Sequence, residues 1–224
     1  MSVWRELSFM GSFNVTVPIA VVITLWLAWQ PDRSALTRWL WVMSISTALV
    51  IGSKLAFLGW GIGIRSIDFT GFSGHAMRSA AIFPVLFFLL VAWLHTGSRS
   101  LAAFFGLLLA TLIAGSRIMV HAHSFSEALS GLLLGTMTSL VFLYHIRHRT
   151  ELKIHPVLGV ISLVSLLFPP QMTPVPTQSI LIRTALFISG HQTPYIRATW
   201  RMAPLLPISG RHIRPPQAKA PQRS

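Results

Sequence analysis

The stretch AMRSAAIFPVLFFLLVAWL, Ala76 to Leu94, is the most hydrophobic in the chain. Crossing a bilayer as a helix takes about 20 apolar residues, and this run has nearly that length. Pro84 inside it is a kink that a membrane helix tolerates. Similar runs lie on both sides. Phe13 to Trp29 and Trp39 to Ile64 precede it; Leu101 to Gly115, extending toward Val120, and Ala128 to Tyr144 follow. A shorter run, Val157 to Phe168, is closed by Pro169-Pro170. The pattern predicts an all-α polytopic integral membrane bundle with five or six transmembrane helices.

Composition agrees. Of 224 residues 53% are hydrophobic and 10% charged, with a mean hydropathy of +0.64. Soluble domains carry about 25% charge, so an ordinary soluble enzyme is excluded. Cysteine is absent, which removes disulfides, thiolate metal sites and cysteine nucleophiles. The formal net charge is +13, from 18 Lys+Arg against 5 Asp+Glu. In a membrane protein such an excess points to anionic lipid or phosphate rather than nucleic acid.

The run Phe13 to Trp29 reads as a retained helix, because its bulky end does not suit signal cleavage. The Trp39–Ile64 helix is expected to end near Lys54 to Leu58, before Gly59-Trp60-Gly61-Ile62-Gly63. Trp39, Trp41, Trp60 and Trp93 read as interface anchors. The chain divides into a membrane-embedded part, residues 1–172, with its motif-bearing core at 40–145, and a basic Pro-rich extension, residues 173–224. The extension reads as partly disordered, with Ser179 to Phe187 as a surface helix and anionic lipid as a partner for its charge.

Loops 30–38, 95–100 and 146–154 share one face and carry Arg33, Arg38, Arg99, Arg147, Arg149 and Lys153. That face is read as cytoplasmic. The basic extension fits the same face, which favours a sixth segment that does not span. The loops at 54–75 and 116–127 then face outward. The compact, cysteine-free chain suits a bacterial inner membrane, with the site open to the periplasm or exterior.

Those two outward loops collect the chemistry. One holds Lys54, Arg65, Asp68 and Phe72-Ser73-Gly74-His75; the other holds Ser116-Arg117, His121, His123 and Glu127. Each precedes a long apolar helix, whose N-terminus favours an anion. His123 and Glu127 are four apart, so a helix puts them on one face. A carboxylate on one ring nitrogen fixes the tautomer and leaves the other free to attack. His121 reads as water-facing. Asp68 orients Arg65 or caps a turn. Ser189-Gly190-His191 repeats the Ser-Gly-His triplet in a region without other site features.

Taken together, Ser73-Gly74-His75 and Ser116-Arg117-x5-His123-x3-Glu127 resemble the type-2 phosphatidic acid phosphatase superfamily. Its pattern is Lys-x6-Arg-Pro, Pro-Ser-Gly-His and Ser-Arg-x5-His-x3-Asp. This chain departs in all three motifs. The first lacks Arg-Pro, with Gly61 where the arginine would stand, Phe72 replaces the proline of the second, and Glu127 replaces the aspartate of the third. The resemblance implies a metal-independent lipid phosphatase without a cofactor, working through a phosphohistidine. It implies His123 as nucleophile, Glu127 as its orienting partner and His75 as acid, then base. Lys54, Ser73, Gly74, Arg117 and Ser116 would hold phosphate, with Arg65 standing in for the missing arginine. The substrate would be a lipid phosphate or pyrophosphate: phosphatidic acid, phosphatidylglycerol phosphate or a polyprenyl pyrophosphate. A lipid phosphotransferase uses the same site, and a non-catalytic lipid-binding protein is the reading that the missing arginine supports. A small transporter is disfavoured, because the charges gather at loops rather than inside helices.

Overall fold

The computed structural model describes residues 2–94, 97–147 and 177–202, with Val157 and Val160. The regular structure there is helical: α1 Ser2–Met10, α2 Phe13–Ala28, α3 Ser34–Trp60, α4 Gly74–Leu94, α5 Arg99–Met119, α6 Phe125–Ile146, α7 Thr177–Ser189 and α8 Arg197–Met202. Five stretches are long and apolar enough to cross a membrane: Val3–Ala28, Ser34–Trp60, Gly74–Leu94, Arg99–Met119 and Phe125–Ile146. The short sixth run falls outside the described residues, apart from Val157 and Val160.

α4 is the core of the bundle. Nearly its whole length is buried, whereas α5 and α6 turn large apolar side chains such as Phe104, Leu108, Leu133 and Met137 outward. Lipid offers helices no hydrophobic incentive to pair, so association rests on close contact through small residues. The Gly131-x3-Gly135 face of α6 supplies that contact. A Cβ at Gly135 would overlap the Met77 carbonyl, and one at Gly131 would lie 2.5 Å from the Ser73 carbonyl. α6 therefore lies directly on the start of α4. Polar side chains add to the grip, as where Ser46 meets Thr138 at 2.6 Å.

Several details differ from the sequence reading. α3 runs on to Trp60 and stops at Gly61, which adopts the left-handed conformation of a helix C-cap (φ 67°). Trp39 is no interface anchor. It is buried, donates to Thr24 Oγ1 at 3.0 Å and packs on Phe142, whereas Trp41 and Trp60 are exposed. A helix precedes Phe13: α1 breaks from α2 at Gly11-Ser12, where Gly11 meets Ile113 and Ser79.

The helices alternate in direction. The C-termini of α3 and α5 and the N-termini of α4 and α6 meet at one end, as the loop grouping predicts. At the other end Ser34 Oγ lies 3.5 Å from His145 Nε2. The C-terminal segment is not where charge alone would put it. α7 packs along α3 through Leu55, Phe57, Leu58, Leu181, Ile182 and Ala185. Beyond it, residues 190–202 sit on the loops at the end holding the N-termini of α4 and α6. The chain leaves α6 at one end and is back at the other by Ser189. Residues 203–224 lie outside the described part.

Candidate active site

The two motif loops are joined at Glu127. The Ser73 amide donates to the Glu127 carbonyl at 3.0 Å, which fixes the start of α4 against the start of α6. Ser124 caps α6 and forms a reciprocal capping box with Glu127. The Glu127 side chain is 1% exposed and fully partnered. Oε2 lies 2.8 Å from His123 Nδ1 and accepts from the Ser124 amide at 3.3 Å. Oε1 accepts from the Thr70 amide at 2.9 Å, from Thr70 Oγ1 and from Arg197 Nη2. Nδ1 of His123 is thus engaged, and Nε2 is the nitrogen left to face a substrate. Burial holds the His123 imidazole below its ordinary range, against the opposing effect of the Glu127 bond, with Lys54 and Arg117 adding to the lowering.

His75 occupies the first turn of α4, within electrostatic reach of Arg117, Arg78, His123 and Lys54. The structure therefore brings together His75, Lys54, Arg117 and Glu127 from four helices, with His123 from the turn between α5 and α6. Arg117 donates through Nη1 to Ser8 Oγ of α1, while its buried Nε has no partner among the described residues. A buried guanidinium N–H facing cationic neighbours suits an anionic ligand. The 117–123 turn closes on the Arg117 carbonyl, which accepts from Ala122 at 3.0 Å and from His123 at 3.2 Å. That closure sets the histidine relative to the arginine.

Other residues have different surroundings. Ser73 is buried at the N-terminus of α4, its Oγ 3.5 Å from the Ala76 amide. Gly74 opens that helix, with Arg78 Nη1 3.0 Å from where its Cβ would be. Ser116 donates to the Ile113 carbonyl of its own helix at 2.6 Å. Arg65 is exposed and stacks over the Trp200 ring at 5.4 Å. His121 is exposed and carries the left-handed residue of its turn (φ 56°). Asp68 closes the Arg65–Ile67 turn, its amide donating to the Arg65 carbonyl at 3.1 Å, and its carboxylate pairs with Arg201 and lies 3.7 Å from Arg197. His191 of the repeated triplet packs at the end of α3, where its Nδ1 meets the Gly59 carbonyl at 2.7 Å.

Three residues at this site escape the sequence reading. Arg78 is a charge inside the most apolar helix, contrary to the expectation that charges keep to loops. It donates to Thr16 Oγ1 at 3.1 Å and stacks on Phe13 at 5.6 Å, fastening α2 to α4 beside the site. Its position one turn after Gly74 was the available signal. Thr70 and Arg197 carry none, because only the fold brings them to Glu127.

The motif departures have physical counterparts. The Phe72 amide donates to Ser53 Oγ at 3.1 Å, next to Lys54, a bond that proline cannot make. The longer arm of Glu127 reaches His123, Ser124, Thr70 and Arg197 together. Gly61 lies under the C-terminal segment.

Comparison with known proteins agrees with this geometry. A family profile described as the PAP2 superfamily matches residues 60–151, a stretch that contains both motif loops but not Lys54. An uncharacterized 22.5 kDa protein in the cps region of Klebsiella pneumoniae is 38% identical over 201 residues, covering 87% of this chain and 95% of that one. A match so long runs past the bundle into the C-terminal segment wherever it begins. No solved structure matches the chain.

Proposed function

The chain belongs to the PAP2 (type-2 phosphatidic acid phosphatase) superfamily and carries its phosphohydrolase domain; from that membership we propose that it dephosphorylates a lipid phosphate or lipid pyrophosphate through a phosphohistidine. The observation that carries this is the His123–Glu127 pair, with Nδ1 bound at 2.8 Å, which leaves Nε2 as the free ring nitrogen, and with Lys54 and Arg117 within electrostatic reach of both His123 and His75.

The chemistry follows from that arrangement. The Nε2 lone pair attacks phosphorus as the P–O bond to the leaving group breaks, and His75 gives its proton to the departing oxygen. His75, now neutral, takes a proton from water. The resulting hydroxide attacks phosphorus, and the P–N electron pair returns to His123. Charge on the non-bridging oxygens is met by Lys54, by the unpartnered Nε of Arg117, and by the first-turn amides of α4 at Gly74. Ser73 adds to this cradle through its place at that N-terminus. Ser116 and Arg65 are left outside it, given the partners they have.

A lipid is favoured because the site lies where four membrane-length helices end, a position entered from the headgroup layer. The test is phosphate release by the purified protein in detergent with EDTA present. Its substrates are phosphatidic acid, phosphatidylglycerol phosphate, a polyprenyl pyrophosphate and a soluble phosphomonoester. Release from a lipid member, blocked by vanadate, is expected. Release only from the soluble ester would overturn the lipid assignment, and none from any member would overturn hydrolysis.

A further inference from the structure

The C-terminal segment carries the strongest unassigned feature. Residues 190–202 form a strap over the end of α3 and the loop that follows it. His191 Nδ1 bonds the Gly59 carbonyl at 2.7 Å, the Tyr195 amide donates to the Leu58 carbonyl at 3.0 Å, and Trp200 Nε1 donates to the Gly61 carbonyl at 2.8 Å. Trp200 also packs edge-on against Phe57, and Arg201 grips Asp68. These contacts hold the strap without Arg197. The Arg197 guanidinium instead reaches Glu127 Oε1 and, at 3.2 Å, Thr70 Oγ1.

We infer that Arg197 is a positioning residue of the active site, delivered by the strap to hold one oxygen of Glu127 so that the other fixes the His123 ring. The inference rests on His123 being the nucleophile. Glu127 is 1% exposed, and a buried carboxylate is costly unless a cation and hydrogen bonds meet it. Among the described residues, Arg197 is the cation in direct ion pair with it, apart from His123 itself.

The strap also explains the broken first motif. Gly61 stands where the family pattern has arginine. Here it is left-handed, and a Cβ on it would lie 2.8 Å from the Tyr195 ring. A side chain at 61 and the strap therefore exclude one another. The α3 terminus without a side chain at position 61 and the strap that carries Arg197 form one arrangement. Arg197 brings positive charge to this corner, though to the carboxylate rather than to the position of the lost side chain.

The test uses full-length Arg197→Ala, Arg197→Lys and Arg197→Gln in detergent, with the lipid phosphate that the wild type hydrolyses. Arg197 is bonded to Glu127 and Thr70, so as a positioning residue its replacement in Arg197→Ala should lower kcat by about 10- to 100-fold, the usual loss for a group that orients a working histidine. KM should stay within about threefold of wild type, as for an interaction that matters in the transition state. Arg197→Lys keeps the charge and should recover part of kcat; Arg197→Gln should recover less. The Lys and Gln variants decide the matter if Arg197→Ala fails to fold. Wild-type kcat in Arg197→Ala, equal rates in the Lys and Gln variants, or a loss confined to KM would overturn the inference. A wild type that forms no acid-labile phosphoenzyme would instead defeat the functional reading beneath it.

Discussion

Replacing Glu127 by aspartate restores the residue that the family pattern carries, and it should nevertheless slow this protein. The change removes one methylene and withdraws the carboxylate by ~1.5 Å. The backbone cannot follow. The Glu127 carbonyl is held by the Ser73 amide at 3.0 Å, and Gly131, one turn on, already abuts the Ser73 carbonyl. A bond of 2.8 Å to His123 and one of 2.9 Å from the Thr70 amide then cannot both survive. A hydrogen bond to a charged group contributes about 1.5–3 kcal/mol. Losing one such bond from the transition state corresponds to roughly a 10- to 10²-fold fall in kcat. The assay is lipid phosphate hydrolysis in detergent, with single-turnover phosphoenzyme formation alongside. A melting curve checks that the variant is folded. Glu127→Asp turning over at or above the wild-type rate would refute the idea that the longer side chain is matched to four partners.

The histidine nucleophile must be neutral to attack, and burial lowers the His123 pKa. The acid limb of kcat/KM should therefore fall below the ordinary imidazole value of about 6.5; a pH profile with the limb at or above it contradicts the assignment. Lys54→Ala should cost about 10²-fold in kcat/KM, as loss of a group stabilising transition-state charge does. Arg65→Ala should stay within about threefold, since Arg65 stacks on Trp200; the reverse order in steady-state kinetics would return Arg65 to the phosphate site. Gly135→Val places a branched side chain against the Met77 carbonyl and should destabilise the bundle by about 1–3 kcal/mol. A thermal unfolding scan in detergent that leaves Tm unchanged would argue against that close approach.

The long apolar runs were legible because membrane helices announce themselves by length, and each of the five corresponds to a helix. The histidine–carboxylate pair was legible because its partners are four residues apart, a spacing that a helix start converts into contact. What lay hidden depends on partners far apart in the chain. Arg197 meets Glu127 across 70 positions, from a stretch whose prolines and charges read as a disordered tail. Charge also misled about where residues 190–202 lie. Arg197 and Arg201 pair with Glu127 and Asp68 at the site end, so they need no cytoplasmic face to accommodate them. Trp39 shows a smaller case: a tryptophan at a run's edge resembles an anchor, yet Thr24 and Phe142 draw it inside.

Phosphohistidine formation at His123 is the step on which the site's chemistry depends, and rapid quench with labelled substrate measures it. Wild-type protein should accumulate an acid-labile, base-stable phosphoryl group on an activated ester. His75→Ala should still form it, because a good leaving group needs little protonation, but should release it slowly, because water activation is lost. His123→Ala should form none. Labelled phosphate trapped on the His123→Ala protein, or no trapped phosphate in wild type and His75→Ala alike, would contradict the assignment of His123 as the nucleophile.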